Sequence, residues 1–161
     1  TLGAIIKNPR AFVRRVAQAR WRSLSARDPF ERRVAALQAL SLGAQQHLIL
    51  KTAGNKMKGL RDKPLSGWPE EFTKNWDPKR DFACAMLHAE RLIQLLGDTV
   101  IAEVFLAQAK KHPERLEVLE RHLGRAEPRA RYLHDQITTT GQRLLSKLST
   151  KSHHTTQEAA E

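Results

Sequence analysis

The stretch from Val34 to Leu50 contains no charged residue, and this feature limits most strongly how the chain can fold. Its side chains recur at helical intervals, as in Val34, Leu37, Ser41, Ala44 and Leu48. Ala35, Ala36, Leu42, Ile49 and Leu50 add apolar groups on the opposite side. A helix that is apolar almost all round must be covered by other helices. We therefore predict a central apolar helix at about residues 29–52.

Prolines predict where helices begin. Each of Pro9, Pro29, Pro78, Pro113 and Pro128 follows a polar residue, and proline suits the first helical position because it has no N–H to leave unpaired. Asp28 and Glu31 surround Pro29 as a capping box, in which Glu31 would reach back to the cap amide. Gly97 followed by Asp98 predicts a helix end and a new cap, and Gly141 is expected to weaken or kink the last helix.

The chain is expected to be all-α, because no stretch shows the apolar alternation of a strand bounded by a hairpin turn. A length of 161 residues suits one core. We predict a single-domain helical bundle of five to seven helices over residues 1–150 and a disordered polar tail over 151–161. Residues 54–69 combine three glycines and two prolines with four basic residues. They are expected to form one long basic loop.

The positive charge is unevenly distributed. Residues 1–80 carry 17 Lys+Arg against 6 Asp+Glu, whereas residues 81–161 carry 11 of each, so the net charge of +11 belongs to the first half. Charge concentrated on one side of a fold creates a directional field that attracts anionic partners. This asymmetry predicts the class of partner.

A helix over residues 9–26 would divide into two arcs. Arg10, Arg14, Arg15, Gln18 and Arg22 fill one arc, and Phe12, Val13, Val16, Ala17 and Leu24 fill the opposite one. Trp21 falls at the boundary beside Arg14. Arg20 falls inside the apolar arc, and its role stays open. The first helix is therefore predicted to bury one side and to present arginines on the other.

The predicted function is nucleic-acid binding, to DNA or RNA, mainly through the phosphate backbone. The predicted contacts are Arg10, Arg14, Arg15 and Arg22 of the first helix and Lys56, Lys58, Arg61 and Lys63 of the basic loop, with Trp21 and Trp68 as candidates for stacking on bases. Guanidinium groups suit bidentate contact with phosphate. A helix-turn-helix is disfavoured, because the helix after Ala26 is the most apolar in the chain rather than an exposed recognition helix.

Three alternatives stay open. The chain could be a protein-interaction domain, of the adaptor or secretion type, that docks on an acidic partner. The arginine face of the first helix could simply be solvated. Trp68 and Phe72, four residues apart, are more typical of an aromatic lid over the core than of a base-stacking site. An anionic membrane surface is disfavoured as a partner, because Phe12, Val13 and Val16 are expected in the core rather than free for lipid.

The sequence predicts no enzyme, cofactor or metal site. It contains no phosphate-binding glycine loop, no GxSxG and no paired carboxylates with catalytic spacing. Its histidines form no ligand pattern, and one cysteine cannot support a zinc finger. A single Cys84 suits a reducing compartment, and residues 2–6 are too short an apolar run for a signal peptide, so we expect a cytoplasmic location. The amino-acid sequence does not determine the oligomeric state.

Overall fold

The computed structural model describes residues 9–60 and 76–147, and they form helices without strands. The α-helices are α1 (Pro9–Ser25), α2 (Pro29–Leu60), α3 (Pro78–Asp81), α4 (Ala83–Leu87), α5 (Ala89–Ala109) and α6 (Leu116–Thr139), and a 3₁₀ turn at Pro113–Arg115 precedes α6. The predicted all-α bundle is confirmed, and six α-helices in the described residues fall within the predicted range. The predicted tail at 151–161 lies outside them.

Four of the five prolines stand at helix starts as predicted, at Pro9, Pro29, Pro78 and Pro113. The start of α2 is capped as predicted, because the Asp28 carboxylate accepts a hydrogen bond from the Phe30 amide at 2.9 Å. Glu31 does not close the expected capping box. Its carboxylate instead forms an ion pair with Lys110 at the end of α5.

Two predicted interruptions are absent, because tertiary contacts override the local signals. Pro128 lies inside α6 rather than at a helix start. Asp98 lies in the middle of an unbroken α5. Its carboxylate does not cap a new helix, because it accepts a hydrogen bond from the Arg129 guanidinium of α6, with Nε 2.7 Å from Oδ2. Asp98 thus ties α5 to α6 at a buried position.

The long helix α2 contacts every other α-helix of the described residues. Between residues 34 and 50 only Ala36 and Leu50 are exposed. The main core joins one face of α2 to the inner faces of α5 and α6, with Leu37, Leu95, Leu119, Leu123 and Ile137 among its most deeply buried side chains. These three helices form the framework that positions the remaining elements.

The predicted basic loop at 54–69 is wrong over its first part, because α2 continues to Leu60. Thr52, Lys56 and Leu60 are buried at four-residue intervals. They lie on the face of α2 that packs against α3 and α4. Burial of this face therefore outweighs the unfavourable helix propensity of Gly54 and Gly59. Residues 61–69 lie outside the described part of the chain.

The first helix, α1, is attached separately from the main core. Phe12, Val16 and Ala19 pack against Ala39 and Leu42 of α2 in a small second cluster. The contacts of α1 are mainly with α2. Within the described residues, the side of α1 that faces away from α2 is exposed.

Helix α6 ends just before Gly141, and residues 142–147 are helical again. Gly141 has a φ of +89°, and a Cβ there would lie 2.6 Å from Leu87 Cδ2 and 3.0 Å from His88 Nε2. Only glycine meets both conditions without strain. The interruption predicted at Gly141 is thus a true helix end, and the glycine closes over the buried His88.

Burial lowers the pKa of three histidines near this end of the bundle. Burial, with the nearby charge of Arg91, lowers the pKa of His88. Burial, with the nearby charge of Lys51, also lowers the pKa of His47. Burial lowers the pKa of His134 as well; Asp135 opposes this shift, and Arg20 offsets part of that opposition. Each of these histidines therefore binds a proton less readily in the folded chain than in the unfolded one.

We predict that the domain loses stability as the pH falls below about 6.5, the ordinary pKa of histidine. In that range the unfolded chain binds protons that the folded chain excludes, so acid favours unfolding. Urea unfolding at several pH values between 7 and 5 measures the effect. His88→Gln should flatten the pH dependence, whereas His112→Gln, at an exposed position, should not. A pH dependence that is identical in both variants would contradict the assignment.

Candidate anion-binding surface

Five arginines project from α1, which carries no acidic residue along its length: Arg10, Arg14, Arg15, Arg20 and Arg22. All five side chains are exposed. Within residues 9–60 and 76–147, none of them forms an ion pair with a carboxylate. Their charge is therefore directed at solvent or at a partner rather than neutralised inside the fold.

The arginines occupy the outward arc of α1 and both of its flanks. At about 100° per residue, Arg10, Arg14 and Trp21 fall within about 40° of one another, on the side away from α2. Arg15 and Arg22 lie on the flank that faces α5. Arg20 lies on the other flank, close enough to His134 of α6 to help lower its pKa. We call the five arginines of α1 the arginine surface.

The predicted apolar arc of α1 is wrong at three positions. Val13 and Leu24 are 62% and 79% exposed, and Ala17 is also exposed. The buried stripe is narrower because α1 packs mainly against one helix, α2, instead of being surrounded. Trp21 is 70% exposed, so it lies among the outward arginines rather than at the edge of the core. Large apolar groups therefore lie beside the arginines.

An open groove of about 480 Å³ runs between α1, α2 and α5. Arg15, Gln18 and Arg22 line its α1 side, and Leu96, Thr99 and Val100 line its α5 side. Glu103 also reaches the groove, where its carboxylate accepts a hydrogen bond from Gln38 at 2.7 Å. The α1 wall of the groove is thus basic, and the α5 wall combines the aliphatic Leu96 and Val100 with the polar Thr99 and Glu103.

The prediction that Lys56 belongs to an exposed basic surface is wrong. Its side chain is 1% exposed, with the ammonium 3.8 Å from Asp81 Oδ2 and 5.2 Å from the centre of the Trp76 ring. Asp81 is itself fully buried, and it accepts hydrogen bonds from Arg80 Nε and from the Asp77 amide, both at 2.9 Å. Lys56 therefore joins α2 to α3 and has a structural role.

The buried carboxylate of Asp81 is kept ionised by its neighbours. Burial alone would raise its pKa, but the hydrogen bonds from Arg80 and the Asp77 amide, with the charges of Arg80 and Lys56, lower it overall. The Arg80 guanidinium lies across Gly59, where a Cβ would come within 2.5 Å of its Cζ. Gly59 therefore leaves room for this contact.

Lys58 is exposed, but it lies far from the arginine surface. It stands in the last turn of α2, whereas α1 packs against Ala39 and Leu42. At a rise of 1.5 Å per residue, Leu42 and Lys58 are about 24 Å apart along the axis of α2. Lys56 and Lys58 therefore do not form one basic surface with the arginines of α1, as the sequence had predicted. The other predicted contacts, Arg61, Lys63 and Trp68, lie outside the described part of the chain.

The exposed apolar face of α5 was not predicted from the sequence. Ile93, Val100, Ile101 and Val104 are exposed there. Their spacing could have indicated the face, because it recurs at seven and eight residues along a helix in which two of the three acids, Asp98 and Glu103, are held by partners on other helices. Their exposure could not be read from that spacing, because periodicity alone does not say which apolar face is covered.

No group of three or more potential metal ligands occurs in residues 9–60 and 76–147. A second cavity, of about 540 Å³, lies beside His88, Arg91 and Gly141.

Comparison with known proteins finds no matching family model, curated protein or solved structure.

We predict that Lys56→Ala destabilises the fold by about 2–4 kcal/mol, because it removes a buried charge partner of Asp81 and leaves a cavity. Lys58→Ala, two residues away and exposed, should change the stability by less than about 0.5 kcal/mol. Urea unfolding followed by circular dichroism compares the two. Equal effects of the two substitutions would contradict the buried position of Lys56.

Proposed function

We propose that the protein binds nucleic acid, mainly through the phosphate backbone, and that α1 is the contacting helix. The observation that carries the proposal is the arginine surface: five exposed arginines on one helix with no acidic residue and no ion pair to any described carboxylate. Such a helix concentrates a positive field where a polyanion can approach it.

The placement of the arginines around α1 suits a duplex. The major groove of B-DNA is about 12 Å wide and admits an α-helix. With Arg10 and Arg14 pointing into such a groove, Arg20 on one flank and Arg15 and Arg22 on the other would face the two phosphate strands. All five arginines are exposed in the described part of the chain, so both flanks are accessible.

Trp21 supports the same proposal for single strands. Its ring is 70% exposed on the outward arc, next to Arg14. An exposed aromatic ring can stack on an unpaired base, a contact worth about 1–3 kcal/mol that tolerates any base. Arginine beside such a ring neutralises the neighbouring phosphate.

A protein-interaction domain is the second candidate. The observation that favours it is the exposure of Val13, Trp21 and Leu24 among the arginines. Phosphate contacts do not need aliphatic neighbours, whereas protein interfaces are enriched in aromatic residues and arginine. On this account the arginine surface docks on an acidic protein.

We predict a moderate salt dependence of nucleic-acid binding. Because Lys56 is buried and Lys58 is remote, the contacts available in the described residues are the four or five arginines of α1. These give an expected slope of log K against log salt of about −4 for duplex. Fluorescence anisotropy with a random duplex and a random single strand between about 50 and 200 mM salt measures it. The duplex affinity should fall about 250-fold. Absence of binding at the lowest salt would reject the proposal in favour of an acidic protein partner.

We predict that the double substitution Arg10→Glu with Arg14→Glu abolishes this binding and leaves the helix content unchanged, because both side chains are exposed and outside the core. A matched control reverses two cations of equal charge elsewhere, Lys111→Glu with Arg125→Glu, which are also exposed. The control should bind almost as the unaltered chain does. Equal losses in both variants would mean that net charge, rather than α1, governs binding.

A further inference from the structure

The outer face of α5 is unusually apolar for a surface helix. Residues Ala89–Lys111 are long and apolar enough to cross a membrane by length and composition, and only a third of the window is buried. A core helix of a soluble protein passes the same test when the protein covers it, and here Ile93, Val100 and Val104 are left exposed, Ile93 to 68%. They lie along about 16 Å of helix, or three turns.

This apolar face borders the groove between α1 and α5. Val100 and Leu96 belong to the groove wall, and Arg15 and Arg22 face them from α1. The two arginines make no ion pair with any carboxylate of the described residues. A ligand lying in the groove would therefore meet Leu96 and Val100 on one side and the guanidinium groups of Arg15 and Arg22 on the other. Between them lie the polar side chains of Gln38, Ser41 and Gln45 on α2.

We propose that this groove docks an amphipathic helix of a partner protein, with leucine-type side chains on one face and a row of Asp or Glu along one edge. Helices laid in apolar grooves are a common mode of recognition. The charge of the groove fixes the chemistry of the partner, because its carboxylates can pair with Arg15 and Arg22 while its apolar face covers Val100.

Glu103 sets the orientation of the partner. Its carboxylate stands on the α5 side of the groove, held by Gln38 at 2.7 Å. An acidic side chain placed there would be repelled, so the acidic edge must face α1 and the apolar face must lie against α5. The groove thus accepts such a helix in only one orientation about its own axis, with the acidic edge toward α1.

This site differs from the proposed nucleic-acid contact but shares residues with it. Arg10, Arg14 and Trp21 belong only to the outward arc of α1, whereas Val100 lines the groove and Val104 lies on the adjoining exposed face of α5. Arg15 and Arg22 would take part in both. An acidic helix in the groove should therefore compete with nucleic acid for α1.

The test uses a fluorescent 18-residue peptide with leucines on one face and glutamates on one edge, and a second peptide with lysine at each glutamate position. The full chain should bind the glutamate peptide at least about tenfold more tightly than the lysine peptide. Val100→Asp with Val104→Asp should weaken the glutamate peptide about 30-fold and leave duplex binding unchanged. Leu50→Asp, at an exposed apolar position outside the groove, should change neither.

Separate outcomes distinguish this proposal from nucleic-acid binding. Arg15→Glu with Arg22→Glu should weaken the peptide, and Arg10→Glu with Arg14→Glu should weaken the duplex while sparing most peptide binding. Equal binding of the two peptides, or peptide binding unaffected by Val100→Asp with Val104→Asp, would overturn the docking site. Binding of anionic lipid vesicles that Val100→Asp with Val104→Asp abolishes, without peptide binding, would assign the face to a membrane and also overturn it.

Discussion

Burial of the uncharged part of α2 is the interaction on which the rest of the structure depends. From Val34 to Leu48 this helix presents apolar groups in several directions, and no single partner helix could cover them. Helices α5 and α6 cover one side and α1 another. Ion pairs at the margins then fix the relative positions, as Arg33 does with Glu127 of α6 and Glu31 does with Lys110. The arrangement of charges on the surface follows from this requirement.

The fold class and most helix starts could be predicted from the sequence, because proline, caps and periodicity act locally. The failures share one cause. Asp98 would cap a helix in isolation, but Arg129 lies 31 positions away in the chain and supplies a stronger partner. Pro128 would begin a helix in isolation, but packing of Ala126 and Ala130 in the core keeps α6 continuous through it. Contacts between distant residues decided these positions, and periodicity does not report them.

The candidate site was predicted in part. Arg10, Arg14, Arg15 and Arg22 are exposed as expected, and Arg20, which was placed in the apolar arc, is exposed as well, because unpaired cations are not buried. The burial of Lys56 could not be foreseen, since it depends on Asp81 and Trp76, which follow it by 25 and 20 positions. The exposure of Val13 and Leu24 could not be foreseen either, since it depends on how many helices surround α1. Pattern alone gives the faces of a helix but not the number of its neighbours.

The separate attachment of α1 has a consequence for its motion. Three side chains, Phe12, Val16 and Ala19, hold it to α2 in a cluster apart from the main core. At about 1.5–3 kcal/mol for each large apolar side chain, this contact is far weaker than the burial that holds α2, α5 and α6 together. Amide hydrogens of α1 should therefore exchange with solvent through local opening, while the three-helix framework stays closed. Among the described helices, the one with the highest net positive charge is thus also one that can change its angle when it meets a partner.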